Sequence, residues 1–183
     1  MNLFDEAQRV RREADCLHDA AAVDGAYDRL AQAITRDFAR LQNPLVLCVM
    51  IGGVVPTAAI ARRVDFAFEL DYLHATRYRG KTTGGGLVWK AHPATPLEGR
   101  DVLVIDDILD EGHTLLAIEN ALKEQRPKSL KLAVLAEKRH DRRAAGARAD
   151  YIGLEVEDRY VFGCGMDYKG YFRQLPGIYA VKA

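Results

Sequence analysis

The sequence predicts an α/β fold, a mostly parallel sheet flanked by helices, and three observations carry that prediction. Short, densely apolar runs recur at Leu45–Ile51, Asp101–Ile105 and Leu130–Leu135, the composition of strands covered on both faces. Between them stand segments whose apolar residues are spaced by three and four, the signature of helices with one buried side. With 183 residues, 49% of them hydrophobic, the chain can close a sizeable core, and a single domain over residues 1–183 is expected.

Taken in order, Met1–Arg12 is charged and lacks the apolar centre of a secretory signal. Asp24–Leu41 places Tyr27, Leu30, Ile34, Phe38 and Leu41 on one helical face. Leu45–Ile51 reads as a buried strand, Pro56–Arg63 as a helix and Phe66–Tyr78 as a longer, partly alternating strand. The uncharged run Pro44–Ala61, 18 residues long, approaches a membrane-spanning length, but Gly52, Gly53 and Pro56 interrupt it, so no membrane partner is expected. The stretch RGKTTGGG, Arg79–Gly86, reads as a hairpin tip or lid between Tyr78 and Leu87-Val88-Trp89. Asp101–Ile105 is a short strand ending in acids, and Thr114–Glu124 a helix with Leu115, Ile118 and Leu122 on one face. Leu130–Leu135 and Tyr151–Leu154 complete the strands.

Composition excludes several functions. Lysine plus arginine total 26 and aspartate plus glutamate total 26, so no global charge draws the chain to nucleic acid or an anionic membrane. Cys16, Cys48 and Cys164 are odd in number and far apart, which suits a reducing, cytoplasmic compartment better than a disulfide framework. Ser129 is the only serine and sits in no nucleophile elbow, and the five histidines show no zinc-ligand spacing.

Most of the chemistry lies in VLVIDDILDEGHTLLAI, Val102–Ile118. A strand delivers Asp106 and Asp107 to its carboxyl end, and a loop with Gly112 opens a helix whose free N–H groups suit an anion. Phosphate is expected on Asp110, Glu111, Gly112, His113 and Thr114, with Thr114 adding a hydroxyl donor and capping the helix. Paired carboxylates beside a phosphate can bind vicinal hydroxyls or hold magnesium through water. Taken alone, the pattern also fits a solvated turn or the magnesium-holding acids of a receiver domain.

The segment resembles the phosphoribosyl pyrophosphate signature of the type I phosphoribosyltransferases, two acids and a phosphate loop after four apolar strand residues. The resemblance implies that fold, with a hood formed mainly by residues 155–183 with part of the N-terminal region, and a flexible lid. It implies that Asp106 and Asp107 contact the ribose hydroxyls and that Asp110 is the general base near the purine imidazole ring. Met50-Ile51-Gly52-Gly53 is similar to the pyrophosphate loop of the hypoxanthine-guanine members. Ile51 stands where a basic residue is common there, so Ile51 and Gly52 would act through main chain. Lys138 resembles the lysine that donates to the exocyclic oxygen of an oxopurine, which favours hypoxanthine or guanine over adenine.

Asp158–Tyr179, DRYVFGCGMDYKGYFRQLPGIY, resembles the hood over the base. That match implies Tyr160 stacked on the purine, Val161 pairing through its backbone, Asp167 near the base and a magnesium-bound water, and Arg173 on pyrophosphate. The lid, with Tyr78, would close over the reactants. Glu111 departs from the threonine or serine usual there, and a carboxylate must point away from the phosphate to be tolerated.

The implied activity is purine salvage: transfer of the phosphoribosyl group to hypoxanthine or guanine, giving IMP or GMP plus pyrophosphate, with Mg2+ held through Asp106, Asp107 and Asp167. The implied assembly is a homo-oligomer, dimer or tetramer, with small-molecule substrates and no nucleic-acid partner. A xanthine-preferring enzyme and an RNA-binding attenuation regulator of the same fold are the alternatives. The resemblance covers roughly Asp24–Val181 and leaves residues 1–23 unexplained.

Overall fold

A computed structural model describes residues 2–77 and 87–182; Tyr78 and the expected lid Arg79–Gly86 lie outside the described residues. The elements are α1 (Leu3–Glu13), β1 (Asp15–His18), α2 (Ala20–Phe38), β2 (Leu45–Val49), α3 (Val54–Ala61), β3 (Glu69–Arg77), β4 (Leu87–Ala91), β5 (Asp101–Leu109), α4 (His113–Lys123), β6 (Ser129–Lys138), β7 (Tyr151–Val156), β8 (Val161–Phe162) and β9 (Ile178–Ala180).

Six strands form the main sheet in the order β4-β3-β2-β5-β6-β7. All neighbours are parallel except β4, which runs antiparallel to β3 at the edge. The α/β class and the mostly parallel sheet therefore stand as the sequence predicts.

The apolar runs are continuous because both faces of the sheet are covered. Along β5, Val102 and Val104 point into one core cluster with Leu115, Ile118 and Leu122 of α4. Leu103 and Ile105 alternate into a second cluster with Tyr27, Leu30, Ile34 and Phe38 of α2. Helix α1, absent from the sequence reading, is capped by Asn2, whose side chain accepts the Asp5 N–H at 2.9 Å. Its Ala7 and Val10 join Phe162 and Tyr168 in a third, smaller core. This cluster lies beside a three-stranded sheet in the order β1-β9-β8, which joins the N-terminal and C-terminal segments.

Two boundaries bear on the site. Pairing between β5 and β6 continues past the apolar run through Asp106↔Val134, Ile108↔Ala136 and Leu109↔Glu137. The acid pair thus lies within β5, and Lys138 is the last residue of β6 rather than part of the loop after it. The parallel strands β2, β5 and β6 all end on one edge, where ligands of open α/β sheets collect.

Candidate active site

At that edge Asp107, Ile108, Asp110, Lys138, Tyr160, Val161, Met166 and Asp167 line one cavity of about 340 Å3. That is within the usual range for a small-molecule pocket. Residues from two strands and the C-terminal segment are thus brought to one space, although Asp107 and Lys138 are 31 positions apart in sequence.

The floor is the acid pair. The Asp107 N–H donates to Asp106 Oδ1 at 2.9 Å, and the Ile108 N–H donates to Asp107 Oδ1 at 2.7 Å. Withdrawal from water pushes both carboxyls upward, and Asp106 rises well above the usual range because the Asp107 charge adds to the penalty.

Arg173 supplies the opposing charge. Its guanidinium lies 2.6 Å from Asp167 Oδ1 and 3.9 Å from Asp107 Oδ2, and donates to the Gly165 carbonyl at 2.6 Å. Asp167 also accepts the Gly170 N–H at 2.6 Å. Two carboxylates, Asp107 and Asp167, share this one guanidinium, with Asp106 next to them in sequence, a donor set that fits a hard divalent cation. Among the described residues no group of three or more histidine, cysteine, aspartate or glutamate side chains is arranged to hold a metal by itself. Magnesium seldom asks for such a cage, since it keeps waters and substrate oxygens as ligands.

Gly52 abuts this floor. A Cβ there would stand 2.0 Å from Asp107 Oδ2, so the carboxylate occupies the space any larger residue would claim. The preceding Met50–Ile51 peptide is cis, and the Ile51 side chain is 52% exposed, away from the core.

The loop after β5 departs from expectation at its cap. Thr114 is the second residue of α4 and does not cap it; the cap is Gly112, in the left-handed region at φ 79°, with no side-chain hydrogen bond. Glycine adopts that conformation without the Cβ penalty, and the first N–H groups of α4 keep no intrahelical acceptor, so an anion held there would rest on main chain. Glu111 is exposed, with its carboxylate 3.9 Å from Arg142 Nε and 3.8 Å from His113 Nε2. The Arg142 cation answers the electrostatic objection to an acid in the expected phosphate loop.

Asp110 and Lys138 meet directly, Lys138 Nζ lying 2.6 Å from Asp110 Oδ2, with Lys138 only 8% exposed. A residue that the sequence reading passed over completes the group: His140 Nε2 is 2.8 Å from Asp110 Oδ1. Partial burial pushes the Asp110 carboxyl up, but the donors Lys138 and His140 prevail and hold it below the ordinary range.

Above the cavity Tyr160 is 52% exposed, its ring free on one side and braced edge-on by Tyr168, with centroids 5.4 Å apart. Val161 is buried in β8. Tyr168 donates to Glu6 at 2.6 Å, and Lys169 pairs with the same carboxylate at 2.7 Å, so α1 anchors the hairpin beneath Tyr160. The basic cluster after β6 is spoken for: Arg139 pairs with Glu155, Arg142 with Asp158 and Arg143 with Glu137.

Comparison with known proteins bears on the family and the fold. The sequence profile of the phosphoribosyl transferase domain matches residues 13–169. A hypoxanthine-guanine-xanthine phosphoribosyltransferase of Tritrichomonas foetus is 33% identical over 98% of this chain and 94% of that protein. A hypoxanthine-guanine phosphoribosyltransferase of Streptococcus thermophilus is 35% identical over 84% of each. The crystal structure of a hypoxanthine phosphoribosyltransferase from Staphylococcus aureus superposes with a TM-score of 0.87 at 28% identity, covering 94% of each chain. From fold, site and relatives together, the chain belongs to the phosphoribosyltransferase family.

Proposed function

We propose that this protein is a purine salvage enzyme that transfers the phosphoribosyl group of phosphoribosyl pyrophosphate to hypoxanthine or guanine, releasing pyrophosphate. The observation that carries the reading is the meeting of Asp107, Asp110, Lys138 and Tyr160 in one cavity. It joins a hydroxyl-binding acid, a base, an oxygen-seeking cation and a stacking surface.

In this reading Asp106 and Asp107 accept the two ribose hydroxyls, and the main chain of residues 110–114 receives the 5′-phosphate. Arg173 and the backbone at Ile51 and Gly52 face the pyrophosphate, while Tyr78 belongs to the lid. Tyr160 stacks on the purine, and Val161 pairs with it through backbone groups. Lys138 donates to the exocyclic oxygen, and Asp110 accepts the imidazole-ring proton as the glycosidic bond forms. Mg2+, held through Asp106, Asp107 and Asp167, would neutralise charge on the leaving pyrophosphate.

The test is to offer the four common purines in turn with phosphoribosyl pyrophosphate and magnesium. Hypoxanthine and guanine are expected to form nucleotide and adenine not, because an ammonium at Lys138 finds an acceptor only on an oxopurine. Turnover of adenine in preference to the oxopurines would overturn the reading, and the xanthine arm measures how far the pocket extends its tolerance.

The Gly52 contact yields a second expectation. Gly52→Ala should cut kcat/KM for phosphoribosyl pyrophosphate by about 10²-fold, since a displacement near 1 Å at an oriented group costs about that much. Steady-state kinetics with that substrate varied, beside an unchanged circular dichroism spectrum, would check it.

A reducing, cytoplasmic setting is part of the proposal, supported by three free thiols, Cys16, Cys48 and Cys164. Among the described residues no helix is long and apolar enough to cross a membrane. A homo-oligomer is proposed as well: Leu70 and Tyr72 of β3 and Val88 of β4 are exposed together at one side of the sheet.

A further inference from the structure

We propose that His140 is a positioning residue, holding Asp110 by one carboxylate oxygen so that the other stays aimed at the purine proton after Lys138 turns to the base. The inference rests on the reading of Asp110 as general base.

His140 stands two residues beyond β6, its side chain 2% exposed. The Arg142 backbone N–H donates to His140 Nδ1 at 3.1 Å. A ring nitrogen that accepts carries no proton, so the imidazole proton sits on Nε2 and points at Asp110 Oδ1, 2.8 Å away. The backbone that sets this tautomer is itself fixed, because Arg142 grips both Asp158 oxygens at 2.6 and 2.9 Å.

Each Asp110 oxygen therefore has its own donor, Lys138 on Oδ2 and His140 on Oδ1. The two donors differ in kind. Lysine is a point charge on a flexible stem, and its proposed partner in the reaction is the exocyclic oxygen of the base. When it leaves, Oδ2 becomes free to accept a proton, and the carboxylate loses a cation that suppressed its basicity. A carboxylate held by nothing else would rotate about its Cβ–Cγ bond. The buried imidazole, locked from behind, prevents that, and being neutral it dampens basicity less than a second cation would. Arrival of an oxopurine thus both unmasks the base and leaves it oriented.

Four variants test the assignment: His140→Leu, His140→Gln, His140→Asn and Asp110→Asn, with the double variant His140→Leu/Asp110→Asn. His140→Leu should lower kcat about 10- to 30-fold while KM for phosphoribosyl pyrophosphate moves less than about twofold, because a misaimed base affects the chemical step. His140→Gln, whose amide reaches the same oxygen, should recover kcat to within about threefold, and the shorter asparagine should not. In the Asp110→Asn background, His140→Leu should have no further effect. Wild-type kcat in His140→Leu, equal impairment of the glutamine and asparagine variants, or multiplicative losses in the double variant would each overturn the proposal. Should the leucine variant melt below the assay temperature, the glutamine and asparagine pair carries the comparison. Full activity of Asp110→Asn would instead sink the reading of Asp110 itself, which the His140 single variants cannot do.

Discussion

Asp110→Asn should lower kcat for nucleotide formation from hypoxanthine by about 10²- to 10³-fold, the range for loss of a positioned general base. The amide is nearly isosteric and keeps an acceptor oxygen for Lys138 or His140, so binding should survive. KM for phosphoribosyl pyrophosphate is expected to stay within about threefold, since the proposed ribose and phosphate contacts use other side chains and the main chain, which the substitution keeps. The loss should therefore appear in a single-turnover measurement of the chemical step. Equal rates for wild type and Asp110→Asn there would remove Asp110 as the base. Because Lys138 and His140 hold its carboxyl below the usual range, wild type should keep Asp110 ionised to lower pH than a free aspartate would stay so. Its acid limb in kcat/KM for hypoxanthine should consequently fall at lower pH than a free aspartate would give.

Arg173→Met should have the second large effect, on binding and on stability together. The guanidinium is the only cation within 4.0 Å of Asp107 and Asp167 among the described residues. Removing it leaves the enclosed carboxylates to repel one another and takes a cation from the leaving group. KM for phosphoribosyl pyrophosphate is expected to rise about 10²-fold, the scale of one lost charge-assisted contact to a multiply charged group. Stability should fall by about 1–3 kcal/mol, less than for a fully buried pair because these side chains retain some water. Magnesium should raise the melting temperature of Arg173→Met by more than that of wild type, since a ligand favours the folded state in proportion to its affinity there. A smaller rise in the variant would show that the acids do not share responsibility for the cation.

Much of the site was legible because its chemistry is local. Asp106, Asp107 and the Asp110–Thr114 loop form one contiguous run, and a strand, a turn and a helix start can be read there from periodicity alone. Strand ends were misjudged where apolarity stops before pairing does, as in β5 beyond Ile105. The cap was misplaced because a hydroxyl residue and a left-handed glycine are both good caps, and only the backbone angle decides between them.

Other features were silent for a different reason. His140 finds its partner 30 positions away, and a lone histidine in a basic loop carries no spacing to reveal that. The partner that makes Glu111 tolerable, Arg142, is likewise remote in sequence. Helix α1 hides its apolar face under many charges, yet Leu3, Phe4, Ala7 and Val10 stand at helical spacing behind Asn2 and could have disclosed it. The strands β1, β8 and β9 are too short to show any period.

The third core, where Ala7 and Val10 of α1 pack on Phe162 and Tyr168, has a consequence for how such an enzyme could change. The groups proposed to face the sugar and phosphates are set by the central strand β5 and its helix, whose side chains are shared with the two large clusters. Tyr160, the proposed platform for the base, leans through Tyr168 on this small cluster, while Val161 and Met166 beside it belong to the first large one. Acceptor preference can then drift by repacking a few aromatic residues, at modest risk to the scaffold that binds the common donor. Such partitioning lets one donor-handling frame be inherited unchanged while the acceptor side explores new purines.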